Sequence, residues 1–216
     1  MEIADARAEA GHALRQLSHA LIGHDATIED LRVLTDDLIA NRARLVENTV
    51  RSRSNTQENR DWTAVPADGE AMFSYDDRPI SGRSAPWGLD MDVRRVGQEA
   101  IATLTLDAAH EGAPGRSHGG VVAALFDDVF GFVIDIESEL PAFTGELMIR
   151  YERATPLYVP LECRVRMERR DGRKMHFTGE LTSGTVDDSG ERVVHARSRA
   201  LFITVNPETF LPNHSG

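Results

Sequence analysis

The first fifty residues carry apolar side chains at the spacing of amphipathic helices. Two such runs, at about residues 6–22 and 28–50, are separated by Gly23-His24-Asp25, which breaks the pattern. Thr27, followed three positions later by Asp30, suits an N-terminal cap of the second run. This pattern predicts a helical hairpin over residues 1–50 that packs on the main domain or on another subunit. The apolar positions are Leu14, Leu17, Leu21, Leu31, Leu34, Leu38 and Leu45.

The rest of the chain has mainly the period of β-strands. Residues 51–70 are polar and end in Pro66-Ala67-Asp68-Gly69, which predicts a linker before a domain over residues 71–216. Residues 88–106 predict a hairpin around Gly97, Asp171-Gly172 predicts a tight turn, and the last strand runs from about residue 192 to 205. Apolar residues alternate with polar ones at Leu147, Ile149, Tyr151, Leu161, Cys163, Val165, Met167, Met175, Phe177 and Leu181.

One segment departs from this alternation. Residues 121–134 are apolar on nearly every side, which predicts a buried helix, and the flexible turn His118-Gly119-Gly120 precedes them. Asp127-Asp128 lies inside this helix. Burying an ionised carboxylate is costly, so acidic residues here indicate pairing, capping or chemistry. A single buried helix within a mainly antiparallel sheet is an α+β arrangement.

Composition and charge narrow the classes of function. With 216 residues and 41% hydrophobic content, the chain can build one substantial core and an accessory segment. No apolar run approaches the ~18 residues of a membrane span, and the first residues lack the features of a secretory signal. We therefore expect a cytoplasmic protein that does not associate with membranes. A net charge of −11 argues against a nucleic-acid partner.

An anionic substrate would need a local basic patch on this acidic protein. Candidate cations, which could equally be ordinary solvated residues, are Arg150 with Arg153, and Arg170, Arg173 and Lys174. Cys163 lies in an alternating run and is expected to be a small packed side chain. The spacing of His12, His19 and His24 does not place three imidazoles on one helix face, so we predict no metal site.

A competing motif overlaps the start of the buried helix. Gly115-Arg116-Ser117-His118-Gly119 matches the G-x-S-x-G pattern of serine hydrolases, in which a buried strand leads into the turn. Here residues 110–114 form a Gly/Pro loop, and the segments that follow predict hairpins instead of alternating parallel strands and helices. We therefore predict no serine nucleophile.

The buried helix and the strand after it resemble those of a known family. Residues 118–131 are similar to the helix signature of hotdog-fold acyl-CoA thioesterases, particularly the phenylacetate-pathway type and its mammalian relatives. Residues 144–153 resemble the strand that follows this helix in the family. The likeness covers roughly residues 86–205. It implies a hotdog fold, in which an antiparallel sheet wraps around a central helix.

The resemblance also implies roles for individual residues. Asp127 would be the nucleophile or the general base, and the Gly119 N–H would polarise the thioester carbonyl. Thr144 would position Asp127 or the attacking water. His118 would hold the turn or contact substrate, and Gly120 would let the thioester come close. The implied reaction hydrolyses an acyl-CoA substrate to a free acid and CoA, without a metal or redox cofactor.

Contacts to CoA are also implied by the resemblance. They fall on flexible cations, which suit a ligand that contains a diphosphate. Glu152 is a departure, because some relatives carry a basic residue there. The implied CoA-binding residues are Arg150, Arg153, Arg173 and Lys174.

Helix geometry adds a prediction about assembly. Asp127 lies eight residues beyond Gly119, about 12 Å along one helix axis, so one carbonyl cannot touch both. Asp128 lies about 100° further round the helix and cannot share the direction of Asp127. If both groups act on one thioester, Asp127 must meet the glycine turn of a second, antiparallel helix. We expect a homodimer with two equivalent sites, and a homotetramer is an alternative.

Two other functions remain open on the same fold. A non-catalytic acyl-CoA sensor or carrier would bind CoA esters without turning them over, and a carboxylate beside the thioester argues against it. Hotdog hydratases place an Asp and a His close together on the helix, whereas here no histidine follows Asp127 before His176. Release of free thiol from a panel of acyl-CoA substrates separates an enzyme from a binding protein.

Overall fold

The computed structural model describes residues 2–51, 64–186, 190 and 192–206. The helices in this part of the chain are α1 (Ile3–Gly23), α2 (Ile28–Val46) and α3 (Gly119–Glu137), with one turn of 3₁₀ helix at Ala108–His110. The strands are β1 (Met91–Val96), β2 (Glu99–Thr105), β3 (Ala142–Tyr151), β4 (Pro160–Asp171), β5 (Lys174–Val186) and β6 (Arg192–Thr204). None of the described helices is both long and apolar enough to cross a membrane.

The strands form one antiparallel sheet in the order β1-β2-β4-β5-β6-β3. Helix α3 packs across this sheet and contacts β2, β3, β4 and β6. The prediction of an α+β hotdog fold is therefore confirmed. Within the described residues, β1 and β3 are the two edge strands.

The core lies between α3 and the sheet. Phe126 and Phe130 of α3 stack at 6.1 Å between ring centroids, and Phe130 meets Phe177 of β5 at 5.7 Å. Burial extends all round the helix, as its apolar sequence predicts, because the loop before β1 covers the side away from the sheet. Cys163 is fully buried in the core, and burial raises the pKa of its thiol. The expectation of a small packed side chain is met.

Both predicted tight hairpins are present. Gly97 lies between β1 and β2 with φ of 60°, as expected for a turn residue. The second turn is displaced by one residue from its predicted position. Asp171 pairs with Lys174, so the two loop residues are Gly172 and Arg173. Gly172, with φ of 58°, supplies the left-handed conformation at the first loop position, where two-residue hairpin loops favour glycine.

The two N-terminal helices differ in how they contact the domain. The backbones of α1 and the loop before β1 approach closely at Gly11, and Arg15 of α1 is buried. The predicted cap of α2 is confirmed, since the Asp30 N–H donates to Thr27 Oγ1 at 3.1 Å. Every residue of α2 except the part-buried Leu34 is exposed. The predicted packing on the main domain therefore belongs to α1.

The predicted linker falls mostly outside the described residues, which resume at residue 64. Its described end runs beside β1, because the Gly69 N–H donates to the Arg95 carbonyl at 2.9 Å and the Arg95 N–H donates to the Glu70 carbonyl at 3.1 Å. The loop over residues 73–90 then leads across α3 into β1. This loop matters for the site because it contacts both α1 and α3.

Candidate active site

His118 caps the N-terminus of α3. Its backbone is extended, with φ of −66° and ψ of 135°, and its Nδ1 accepts a hydrogen bond from the Gly120 N–H at 2.9 Å. This hydrogen bond fits the first of the two roles that the resemblance implies for His118, that of holding the turn.

Gly119 is the first residue of α3, and its backbone carbonyl and N–H differ in their hydrogen bonding. Its carbonyl accepts a hydrogen bond from Tyr151 Oη at 2.8 Å. Its N–H makes no hydrogen bond to another described residue, as expected for the first turn of a helix. A free N–H at the positive end of the helix dipole favours negative charge nearby. Sequence reasoning missed Tyr151, which it treated only as an alternating strand residue.

Asp127 is held by the strand that follows the helix. Thr144 Oγ1 donates a hydrogen bond to Asp127 Oδ1 at 2.7 Å. Asp127 is part-buried and Thr144 is exposed on edge strand β3. One oxygen of the carboxylate is therefore occupied, and the residue pair lies at a surface that another molecule can reach.

Asp128 points to a different element and has a structural partner. Arg78 Nε, from the loop before β1, lies 2.7 Å from Asp128 Oδ1, whose side chain is only 7% exposed. Burial raises the pKa of the Asp128 carboxyl above its ordinary value, although the Arg78 guanidinium acts in the opposite direction. The guanidinium lies over Gly131, where an added Cβ would be 2.5 Å from Arg78 Nη2. Asp128 thus ties the loop to α3, and sequence reasoning missed Arg78.

A single chain does not bring Gly119 and Asp127 together. They are eight residues apart on α3, about 12 Å along its axis. Edge strand β3 contacts both, through Tyr151 at the start of the helix and Thr144 at Asp127. Strand β3 also carries large side chains that are exposed to solvent: Met148 is 57% exposed and Tyr151 is 52% exposed.

The four predicted CoA-binding cations fall into two groups. The side chain of Arg150 is 83% exposed, with its Nε 3.8 Å from Glu152, and Arg153 follows on the adjoining loop. Arg173 donates from Nε to the Thr204 carbonyl at 2.9 Å, and Lys174 begins β5. Arg150 is opposite Arg197 on β6, and Lys174 is opposite Ile203. These positions are six residues apart, about 20 Å along the strand, so one chain presents two separate basic groups.

The geometry gives little support to a serine nucleophile or to a metal site. Ser117 lies in a loop after the 3₁₀ turn, whereas the serine-hydrolase motif requires a strand at that point. Within the described ranges, no three His, Cys, Asp or Glu side chains are grouped so that they could hold a metal ion.

Comparisons with known proteins agree with this architecture. Residues 115–188, from the turn before α3 to the end of β5, match the model of the thioesterase superfamily. The resemblance stated from the sequence is therefore confirmed for this part of the chain.

Acyl-coenzyme A thioesterase THEM4 of Rattus norvegicus is 30% identical over 112 residues, 51% of this chain and 46% of the relative. The Mus musculus protein is 31% identical over 98 residues, 45% of this chain and 40% of the relative. The chain thus matches less than half the length of these curated relatives.

A solved structure shows that the likeness in fold extends beyond the matched segment. The crystal structure of a thioesterase superfamily protein superposes with a TM-score of 0.68 at 23% sequence identity. The superposition covers 91% of this chain and 94% of the other. The N-terminal helices therefore belong largely to the shared fold.

Proposed function

We propose that this protein is an acyl-CoA thioesterase that works as a homodimer. Each of its two sites would combine Asp127 of one protomer with Gly119 of the other. Support comes from the thioesterase superfamily match, from the names of the curated relatives and from the arrangement of donors and carboxylate around α3.

The observation that carries this proposal is the pair of contacts made by β3. Thr144 is bonded to Asp127, and Tyr151 is bonded to Gly119. The bulge after Thr144 leaves Thr144 and Tyr151 six ladder positions apart, opposite Phe202 and Ala196 of β6. If two copies of β3 pair antiparallel with Thr144 opposite Tyr151, a two-fold axis therefore passes at Met148. That pairing brings Asp127 of one protomer beside Gly119 of its partner, twice. It also covers an exposed sheet edge, which natural proteins rarely leave open.

The same two-fold axis supports the proposed CoA contacts. Lys174 pairs opposite Ile203, which itself pairs opposite Phe143 at the start of β3, whereas Arg150 lies near its end. An antiparallel pairing of the two β3 strands places the start of one beside the end of the other. The Arg173 and Lys174 group of one protomer would then approach Arg150 and Arg153 of its partner. Two basic groups that are separate in one chain would form one patch for the CoA phosphates.

The chemistry follows from this arrangement. A water oxygen would attack the thioester carbon while Asp127 takes the proton, or the Asp127 carboxylate would attack directly and water would release the acyl group. In either case the carbonyl oxygen gains negative charge, which the Gly119 N–H and the helix dipole stabilise. The carbon–sulfur bond then breaks, and CoA leaves as a thiolate that takes up a proton. Thr144 keeps Asp127 oriented throughout.

Replacement of Asp127 tests the proposal. In Asp127→Asn the side chain keeps its size but cannot act as a base or as a carboxylate nucleophile, so we expect kcat to fall by about 10²–10⁴-fold. Thiol release from a panel of acyl-CoA substrates measures this effect. Glu137→Gln, at the far end of the same helix, is the matched control and should keep wild-type activity.

Size-exclusion chromatography should show the same dimer for both variants. Full activity of Asp127→Asn would contradict the assignment of Asp127 as the base or nucleophile. Tight binding of CoA esters by the wild type without thiol release would favour a sensor or carrier.

A further inference from the structure

A cavity of about 260 Å³ lies beside the start of α3. Four segments line it: the first turn of α3, the loop before β1 with Ile80 and Trp87, helix α1 with Ser18 and His19, and the 3₁₀ turn. The first turn of α3 contributes Gly120 and Val121. Because Gly120 and Val121 directly follow Gly119, a thioester held at the Gly119 N–H would have its acyl group at this cavity. Helix α1 would then be part of the substrate site.

Helix α1 is fixed firmly enough to act as a wall. Arg15, only 6% exposed, donates from Nη1 to the Ala85 carbonyl at 2.6 Å and pairs through Nη2 with Asp90 at 2.6 Å. One turn further on, His19 Nδ1 accepts a hydrogen bond from the Ala109 N–H at 3.2 Å. The cavity lies between these two attachments, so its outer side has a defined shape.

The lining and the size of the cavity indicate what it can hold. Most of the lining side chains are apolar, and none of the lining residues is acidic. An apolar cavity of about 150 Å³ accommodates benzene, so 260 Å³ accommodates about ten carbon atoms. That is an acyl group of medium length, or an aromatic ring on a short chain. A long-chain fatty acyl group would have to extend into solvent.

We propose that α1 forms the outer wall of the acyl pocket and that Ser18 and His19 set the length of the acyl group that binds. This inference rests on the proposed thioesterase function, because it assumes that the thioester lies at Gly119. It assigns to the N-terminal helix a role in substrate selection that the sequence pattern alone left open.

S-alkyl-CoA thioethers test the inference without any turnover. They carry the alkyl chain of a substrate but no carbonyl, and calorimetry measures their Kd for alkyl groups of two to twelve carbons. For the wild type we expect affinity to rise about fourfold per methylene and to level off near eight to ten carbons. In Ser18→Phe the new ring fills the cavity, so the rise should stop at least three carbons earlier. Affinity for the decyl derivative should fall about fiftyfold, and affinity for the ethyl derivative should stay within about twofold.

Two further variants make the result specific. Ala20→Phe adds the same ring to α1 at a position about 200° away from Ser18 and should keep the wild-type profile. His19→Ala removes a ring from the pocket while Arg15 still holds α1, and it should move the limit toward longer chains. Identical length profiles in Ser18→Phe and the wild type, or wild-type affinity that is independent of chain length, would overturn the inference. Failure of the proposed function shows separately, as absence of thiol release from acyl-CoA substrates.

Discussion

Two neighbouring carboxylates have different partners in this molecule. Asp127 is part-buried and bonded to a hydroxyl on the edge strand, whereas Asp128 is buried and paired with Arg78. The angle of about 100° between successive helix positions predicts that they point to different elements, and they do. The identity of the partner of Asp128 could not be predicted, because Arg78 lies fifty positions earlier in a loop without periodicity.

Gly119 offers a way to remove a single backbone donor. In Gly119→Pro the N–H is lost, while proline suits the first position of a helix and His118, with ψ of 135°, is already in a conformation compatible with a following proline. We expect kcat to fall by about 10²–10³-fold with little change in stability, as when an oxyanion donor is removed. Steady-state kinetics and a thermal unfolding curve measure the two effects.

Gly119→Ala is the control for this change, because it adds a methyl group but keeps the N–H. Its Cβ would lie 3.2 Å from Tyr151 Oη, so a small shift of that ring is required. Activity of Gly119→Ala should remain within about tenfold of the wild type. Equal losses in the two variants would mean that crowding at Tyr151, and not the donor, matters.

At the level of elements, the 3₁₀ turn couples α1 to the sheet domain through His110. Its Nδ1 accepts a hydrogen bond from the Asp107 N–H at 3.0 Å, and its ring meets the edge of His19 at 4.8 Å between centroids. Burial, followed by the nearby His19, lowers the pKa of His110 from 6.5 to about 4, although Asp107 and Asp90 oppose the shift. The folded protein therefore holds this ring neutral.

The lowered pKa predicts a pH dependence of stability. Above pH 6.5 the ring is neutral in both folded and unfolded chains, so it contributes no slope. Between pH 6.5 and about 4 the unfolded chain binds the extra proton, and the folded state loses up to about 3 kcal/mol as the pH falls. Urea unfolding of the wild type and of His110→Asn, at pH 7 and pH 4 and at one protein concentration, measures this loss.

Asparagine places an acceptor near the position of Nδ1 but does not titrate. The free energy of unfolding of His110→Asn should therefore fall less between the two pH values, by about 3 kcal/mol, while carboxylates contribute equally in both proteins. Parallel pH profiles would show that His110 is protonated in the folded protein without cost.

Sequence periodicity predicted most elements but not their mutual contacts. Alternation identified the strands from β3 to β6, and the all-round apolar pattern identified α3, because burial of one face or of all faces leaves a direct trace in the sequence. The observed β4–β5 turn lies one residue beyond the predicted one. The strand register decides which residues form the loop, and that register depends on the whole sheet. Tyr151 was missed because an alternating position does not reveal that its hydroxyl reaches the Gly119 carbonyl.

At the scale of the whole molecule, the proposed sites, each shared between two protomers, predict complementation. Asp127→Asn and Gly119→Pro should each be nearly inactive alone. In a mixed dimer one site carries both changes and the other carries neither, so co-expressed mixed dimers, isolated through two different tags, should have about half the wild-type activity. Thiol release by the purified mixed dimer is the measurement.

Dimers that carry both changes in one protomer, beside an unchanged partner, distinguish the models. Sites shared across the two-fold axis would each contain one defect in such a dimer, which should be nearly inactive. Sites contained within single protomers would give the reverse pattern, with half activity in this dimer and almost none in the first. That reversal would contradict the shared site.

The position of the Arg78 guanidinium over Gly131 constrains how the chain can be redesigned. A bulkier residue at position 131 would force the guanidinium to shift and would weaken its pairing with the buried Asp128. A chimera that takes the central helix from a relative must therefore also take residues 73–90 from the same donor. The two segments therefore form one structural unit, although more than forty positions separate Arg78 from the start of the helix.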